Sequence, residues 1–192
     1  MTSEVTSSET DLQQLAERGA AELAGANADD LLRWTDENFG GDYVVASNMQ
    51  DAVLVSMAAQ VRPGVDILFL DTGYHFVETI GTRDAVEAVY DINVVNVTPE
   101  NNVAKQDELY GKDLFAREPN ECCRMRKVEQ LSKALRGYSA WVTGIRRVEA
   151  PTRANAASAP RLSVMPSAKR RGWESVCSSA SCSSETRPAS IC

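Results

Sequence analysis

The chain has 192 residues, of which 43% are hydrophobic and 24% charged, a profile that fits one globular domain, with a tail at most. Its formal net charge of -7 argues against a general nucleic-acid or anionic-membrane binder and leaves room only for a local basic site for a small anion. No apolar run reaches membrane-spanning length, and the start MTSEVTSSETDLQQL has neither the basic opening nor the apolar stretch of a secretory signal, so the cytoplasm is the expected compartment. In a reducing compartment the five cysteines read as metal-binding, catalytic or idle thiols rather than as a disulfide framework.

A polar leader covers residues 1–11. Leu12 to Leu23 and Ala28 to Asn38 carry apolar residues at helical spacing, and Asn27 is placed to cap the second. Four short apolar, β-branched runs follow, DYVVAS, DILFLD, INVVNV and SAWVTG, each reading as a buried strand. Between them lie amphipathic helical patterns over Gln50 to Gln60, Glu78 to Tyr90, Glu100 to Leu109 and Arg124 to Leu135. Alternation of this kind predicts an α/β fold with a mostly parallel sheet flanked by helices, whose ligands lie beyond the carboxyl ends of the strands. From Ala154 onward the chain turns rich in Ser, Ala and Arg, has no Asp, and shows no sustained periodicity. Residues 156–192 are therefore expected to form a disordered tail outside the domain at 12–155.

The residues that can carry chemistry follow the strands. After the first, Ser47 begins a polar turn in ASNMQDAVLV and Asp51 opens a helix, a geometry that aims unpaired amides at an anion; a capped helix without a ligand has the same sequence. After the second, LDTGYHFVETI places Asp71, Thr72 and Gly73 at the strand end, where glycine lets a flat ligand approach the backbone and a carboxylate can accept bonds from a ribose or a base amine. The single histidine, His75, lies in the same loop and is given no role. After the fourth, VTGIRRVEAPTRA sets Gly144 at the strand end with Arg146, Arg147 and Arg153 beyond it, and guanidinium forks of this kind suit a dianionic substrate.

The adjacent pair Cys122 and Cys123 in ECCRMRKVEQL is the most distinctive feature. Neighbouring cysteines bridge each other only with strain, yet two neighbouring thiolates can share one metal centre, and a helix start with Arg124, Arg126 and Lys127 close by favours the thiolate form. Two partly buried, inert thiols are the plainer alternative.

Taken in order, SNMQDAVL, LDTGYHFVET, ECCRMRK and GIRRVEAPTRA resemble the assimilatory adenylyl-sulfate (APS) reductases, relatives of the 3'-phosphoadenylyl-sulfate (PAPS) reductases and of the PP-loop ATP pyrophosphatases, over roughly Asp42 to Asn155. The resemblance implies an adenine-nucleotide hydrolase-like sheet. Within it, Ser47, Gln50 and Asp51 would belong to a modified PP-loop, and Asp71, Thr72 and Gly73 to the adenosine site. Gly144, Arg146, Arg147 and Arg153 would lie at the phosphosulfate. It also implies that Cys122 and Cys123 are two of four ligands to a 4Fe-4S cluster, and that Lys127 links cluster and substrate. The implied reaction is thioredoxin-dependent reduction of APS to sulfite and AMP in sulfate assimilation and cysteine biosynthesis, beginning with attack of a cysteine thiolate on the sulfate sulfur. A PAPS reductase and a non-catalytic nucleotide-binding remnant are the alternatives.

Two family features are missing from the sequence: the Cys-x-x-Cys pair that completes the cluster and the Glu-Cys-Gly-Leu-His element that carries the nucleophile. Cys177 and Cys182 have four residues between them rather than two, and neither they nor Cys192 inherits a role. The composition change after Asn155 is expected to mark a truncation or an altered reading frame, which would leave the chain with no catalytic cysteine and half a cluster site.

Overall fold

The computed structural model describes residues 9–144 together with the backbone of residues 158–159 and 162–166. Two helices lead in, α1 (Glu9–Glu22) and α2 (Ala28–Phe39). Asn27 caps α2 as its sequence predicts: its side-chain oxygen accepts from the Asp30 amide at 2.9 Å, and the Asp30 carboxylate reaches back to the Asn27 amide, a reciprocal capping box.

The chain then alternates. Strand β1 (Tyr43–Ala46) leads through α3 (Val53–Val61) to β2 (Val65–Leu70), and that strand through α4 (Val77–Val89) to β3 (Ile92–Val97). A run of helical segments follows: α5 (Val103–Tyr110), α6 (Leu114–Arg117), α7 (Pro119–Cys123), a wider π-helical segment at Arg124–Val128, and α8 (Glu129–Leu135). They return the chain to β4 (Ala140–Thr143). The order β3-β2-β1-β4 is parallel throughout, with Val45 opposite both Ile67 and Val142.

Alternating side chains divide the core in two. Tyr43, Val45, Val65, Ile67, Phe69, Ala140 and Val142 face α2, α3 and α4 and pack with Leu31, Leu32, Val55, Ala58 and Val86. Val44, Leu68 and Trp141 face the other way, onto Leu131, Ala134 and Leu135 of α8. Strands buried on both faces explain why the sequence shows continuous apolar runs rather than alternation. Their amino ends are closed by polar ties: the Asp42 carboxylate accepts from the Ser139 amide at 3.1 Å, and Asp66 accepts from the Tyr138 hydroxyl at 2.7 Å and from the Asn93 amide group at 2.6 Å. Burial, with the Asp36 carboxylate beside it, pushes the Tyr43 phenol up to about 12.

Two further strands, β5 (Ser158–Ala159) and β6 (Leu162–Pro166), fall inside the Ser/Ala/Arg-rich segment. Strand β6 runs antiparallel along β4, with Val142 opposite Val164 and Trp141 opposite Met165, and β5 folds back on β6. A run of only five residues is too short to show periodicity against its surroundings. The open edge of β4, which offers a row of backbone hydrogen-bonding groups, supplies the pairing that composition does not reveal. The expectation of a strand-free tail therefore stops short of residues 158–166, and the rest of that expectation lies outside the described residues.

Candidate functional site

The strand order reverses between β1, which is followed by β2 on one side, and β4 on the other. In an open parallel sheet this switch leaves a crevice at the carboxyl ends of the strands, where the loops that follow β1 and β2 and the end of β4 lie. The Ser47 amide continues the sheet by donating to the Leu68 carbonyl at 3.1 Å, so the first two loops leave the sheet side by side. Gly144 ends β4 against the first turn of α3: a Cβ built on it would lie 3.7 Å from the Leu54 side chain, in ordinary contact. Four sequence-selected positions, Ser47, Gln50, Asp51 and Gly144, thus gather around the start of α3.

The loop after β1 folds on its own side chains. Ser47 Oγ accepts from the Met49 amide at 3.2 Å, Asn48 Oδ1 from the Gln50 amide at 3.2 Å, and Asp51 Oδ1 from the Val53 amide at 3.0 Å. Such two-residue side-chain turns wind the backbone without help from distant residues. At their centre Met49 has φ 55 and is buried, a left-handed conformation that a non-glycine residue holds only where its surroundings enforce it. Gln50 and Asp51 remain exposed.

The loop after β2 is built differently. Asp71 Oδ1 accepts from the Gly73 amide at 2.8 Å, and Thr72 Oγ1 from the Tyr74 amide at 3.4 Å. Gly73 has φ +76 and is exposed, while Thr72 is buried. His75 turns inward, its Nε2 lying 2.9 Å from the Leu70 carbonyl and its ring packed on Phe69, which accounts for it structurally.

The loop is also gripped from outside by a residue whose importance its sequence position understates. Arg126, only 3% exposed, donates Nε to the Thr72 carbonyl at 2.5 Å and Nη1 to Gln106 Oε1 at 2.9 Å and the Asn101 carbonyl at 3.2 Å. Its guanidinium lies 5.2 Å from the Tyr74 ring centroid, a cation–π distance. A cavity of about 200 Å³ flanks this junction, with Asn101, Gln106 and Gln130 in its lining. In the sequence Arg126 stands out only as one of three cations beside the cysteines, and neither Gln106 nor Asn101 carries a signal of its own.

Cys122 and Cys123 occupy the last two positions of α7, a turn after Pro119, with Cys122 buried and Cys123 partly so. The helix begins five residues earlier than the periodicity of Arg124 to Leu135 suggests, because proline at its first position starts it. Of the three cations counted near the thiols, Arg124 is shared between the carboxylates of Glu121 and Glu129, and Arg126 is committed to the loop after β2. Arg124 holds the Glu121 carboxyl below its usual range. Lys127 is half-buried in the π-helical segment.

As for a metal group, the described residues offer two adjacent thiols, and no set of three or more His, Cys, Asp or Glu side chains among them is arranged to hold an ion. That is half of what a four-iron cluster needs. Arg146, Arg147 and Arg153, like Cys177, Cys182 and Cys192, lie outside the described residues. No helix among the described residues is long and apolar enough to cross a membrane.

The family model described as the phosphoadenosine phosphosulfate reductase domain matches residues 42–166, which takes in β6. A protein of Mycolicibacterium smegmatis called adenosine 5'-phosphosulfate reductase is 79% identical over 156 residues, 81% of this chain and 66% of that protein. A Mycobacteroides abscessus protein of the same name is 75% identical over 157 residues, with the same coverage. The chain thus spans just under two thirds of the length of these relatives. Among solved structures, the PAPS reductase of Candida auris in a phosphate complex superposes with a TM-score of 0.58 at 21% identity, covering 77% of this chain and 73% of that one, a likeness of fold.

Proposed function

The chain belongs to the phosphoadenosine phosphosulfate reductase domain family, and on that footing we propose that it carries the nucleotide-binding portion of an enzyme that reduces adenylyl sulfate to sulfite and AMP. The observation that carries this reading is the junction at the sheet's switch point. There the loops after β1 and β2 leave side by side, and the second is joined through Arg126 to the helix bearing the paired cysteines. A nucleotide site and a thiol pair on a single rigid junction are what a nucleotide-linked sulfur reduction requires.

In this reading the exposed Gly73 backbone and the free face of Asp71 seat the adenosine, and Ser47, Gln50 and Asp51 shape the turn on which the phosphate lies. At the start of α3 Asp51 Oδ1 takes the Val53 amide while the capping residue Ala52 adds no side-chain bond, which leaves the other amides of the first turn for a phosphate. Gly144 leaves backbone space beside that turn, and Arg146, Arg147 and Arg153 would neutralise the phosphosulfate. Cys122 and Cys123 would supply two of four thiolates to a 4Fe-4S cluster, with Lys127 between cluster and substrate; a four-thiolate cluster is anionic overall, so the positive field beside the sulfate would come from Lys127. The described residues complete only half of that ligand set, and no step is assigned to it.

The transfer itself is a displacement at sulfur. A cysteine thiolate attacks, the bond from sulfur to the bridging phosphate oxygen breaks, AMP leaves, and a thiosulfonate remains on the enzyme. Thioredoxin or a similar dithiol then attacks this adduct, releases sulfite and is left as the disulfide. The attacking cysteine belongs, by resemblance, to an element the 192 residues do not include.

Calorimetry with AMP and APS tests the core of the proposal: both are expected to bind at one site per chain, and absence of binding would overturn it. Sulfite release from labelled APS with thioredoxin is expected from a chimera that adds the remaining third of the M. smegmatis relative and not from the 192-residue chain. PAPS competition decides the substrate, with APS expected to bind tighter because paired cysteines accompany APS use in this family.

A further inference from the structure

We infer that Arg126 is a positioning residue that couples occupancy of the loop after β2 to the placement of the paired cysteines, so that a bound nucleotide changes the reactivity of Cys123 through it. The inference rests on the reading of Asp71–Gly73 as the adenosine seat, and goes beyond it by naming the route from that seat to the thiols.

Four observations carry it. First, Arg126 reaches 54 residues back to the Thr72 carbonyl at 2.5 Å, and its second nitrogen holds both the loop after β3 at Asn101 and helix α5 at Gln106. One side chain thereby ties three separate elements to the cysteine helix. Second, there is no slack at this joint: a Cβ on Gly73 would lie 2.8 Å from Arg126 Nη2 and 3.2 Å from Val103 Cγ2. A shift of the Gly73 backbone must therefore move the guanidinium, because close-packed interiors transmit displacement.

Third, the partners of this buried cation are a carboxamide oxygen and two backbone carbonyls, all neutral. Burying a charge among neutral groups is costly, and a neutral amide side chain could have bonded the same carbonyls. What only arginine provides is a rigid planar fork that fixes several directions at once. Fourth, Arg126 sits in the middle of the π-helical segment Arg124–Val128, directly after Cys123. Such insertions are local departures from the α-helical ladder that concentrate at working sites, so the grip on Thr72 acts on the cysteine helix at its most irregular turn.

The test uses the full chain and AMP as the probe. Alkylation of Cys123 by iodoacetamide is followed by tandem mass spectrometry, whose fragment ions separate it from Cys122 in the same peptide and from the other three cysteines, with and without saturating AMP. Wild type is expected to show about fivefold slower alkylation with AMP, the lower end of common site-to-site couplings. In Arg126→Lys, which keeps the charge and loses the fork, AMP is expected to bind while the slowing disappears. Equal slowing in wild type and Arg126→Lys would mean that AMP shields the thiol directly, and would overturn the inference. AMP binding to wild type with no slowing would overturn the coupling and leave the nucleotide seat intact, whereas no binding at all would overturn both. Should circular dichroism show Arg126→Lys unfolded, Gly73→Ala, which crowds the guanidinium without removing it, serves instead. It too is expected to reduce the slowing, and unchanged slowing in it counts against the inference.

Discussion

The two loops that line the switch point reach similar ends by different means. The loop after β1 is wound by Ser47, Asn48 and Asp51, each bonding a backbone amide two residues on, so its shape is specified within the short stretch from Ser47 to Val53. The loop after β2 has local bonds too, from Asp71 and Thr72, but its backbone is also held by an arginine 54 residues further along the chain. The two loops thus differ in where their rigidity comes from and in what it costs to lose it. A self-wound loop fails piecemeal, one weak bond at a time, whereas an externally gripped one fails together with everything its anchor holds.

The largest effect is therefore expected at the anchor. Arg126→Leu leaves the buried Thr72 carbonyl and Gln106 side-chain oxygen, and the part-buried Asn101 carbonyl, without this donor. At about 1 to 3 kcal/mol for each unsatisfied group, and with partial relaxation, a loss of about 3 kcal/mol is expected in denaturant unfolding. A loss below about 1 kcal/mol would show that the grip is incidental. Next comes the position facing it. Gly73→Ala forces an L side chain to φ +76 and into the guanidinium at 2.8 Å, for about 2 kcal/mol from backbone strain and crowding combined. A thermal melt unchanged from wild type would mean that the loop can turn away from Arg126 freely.

The same contrast governs how much could be read in advance. The four parallel strands, the helices between them and the Asn27 cap were legible because each rests on a run of apolar residues or on a capping side chain within a few positions. So was the placement of Ser47, Asp51, Asp71 and Gly73 in the loops directly after strands. Arg126 was visible only as charge beside the cysteines. Nothing local distinguishes a solvated arginine from one whose partners lie at Thr72, Asn101 and Gln106, since that pairing exists only after the sheet has brought their loops together. Strand β6 was hidden for a related reason: five residues in a Ser- and Ala-rich setting become a strand because β4 presents an edge. The π-helical segment had no sequence mark either, since the same residues satisfy an α-helical pattern.

Within the self-wound loop the effects should be smaller and separable. Asp51→Ala removes the acceptor for the Val53 amide at the start of α3, and Ser47→Ala the acceptor for the Met49 amide; about 1 kcal/mol each is expected. Ser47→Ala also withdraws a bond that helps hold Met49 at φ 55. The two positions serve different amides, so the double variant should cost close to the sum of the single losses in denaturant unfolding. A double-mutant coupling above about 1 kcal/mol would show that this loop, like its neighbour, is held as a unit, and the contrast would collapse.

The smallest effect is expected where the cysteine helix meets water. Glu121 bonds Arg124, its Oε2 accepting from Nε at 2.8 Å, and this partner holds the Glu121 carboxyl below its ordinary value. A carboxyl depressed in the folded state contributes stability that is fully present above its unfolded pKa and is lost as pH falls through its folded one. The loss therefore lies in the acid limb, below about pH 4. Both side chains are more than a third exposed, at 50% and 35%, so solvent screening leaves the pair only a small contribution. Glu121→Gln should accordingly flatten the acid limb slightly, leave stability at pH 7 nearly unchanged, and leave the AMP-dependent slowing of Cys123 alkylation intact. If Glu121→Gln instead abolished that slowing while AMP still bound, the cysteine helix would be held in place by its surface ion pair and not by Arg126. The distinction between an anchor buried at the junction and charges spread over the outside would then have to be drawn the other way.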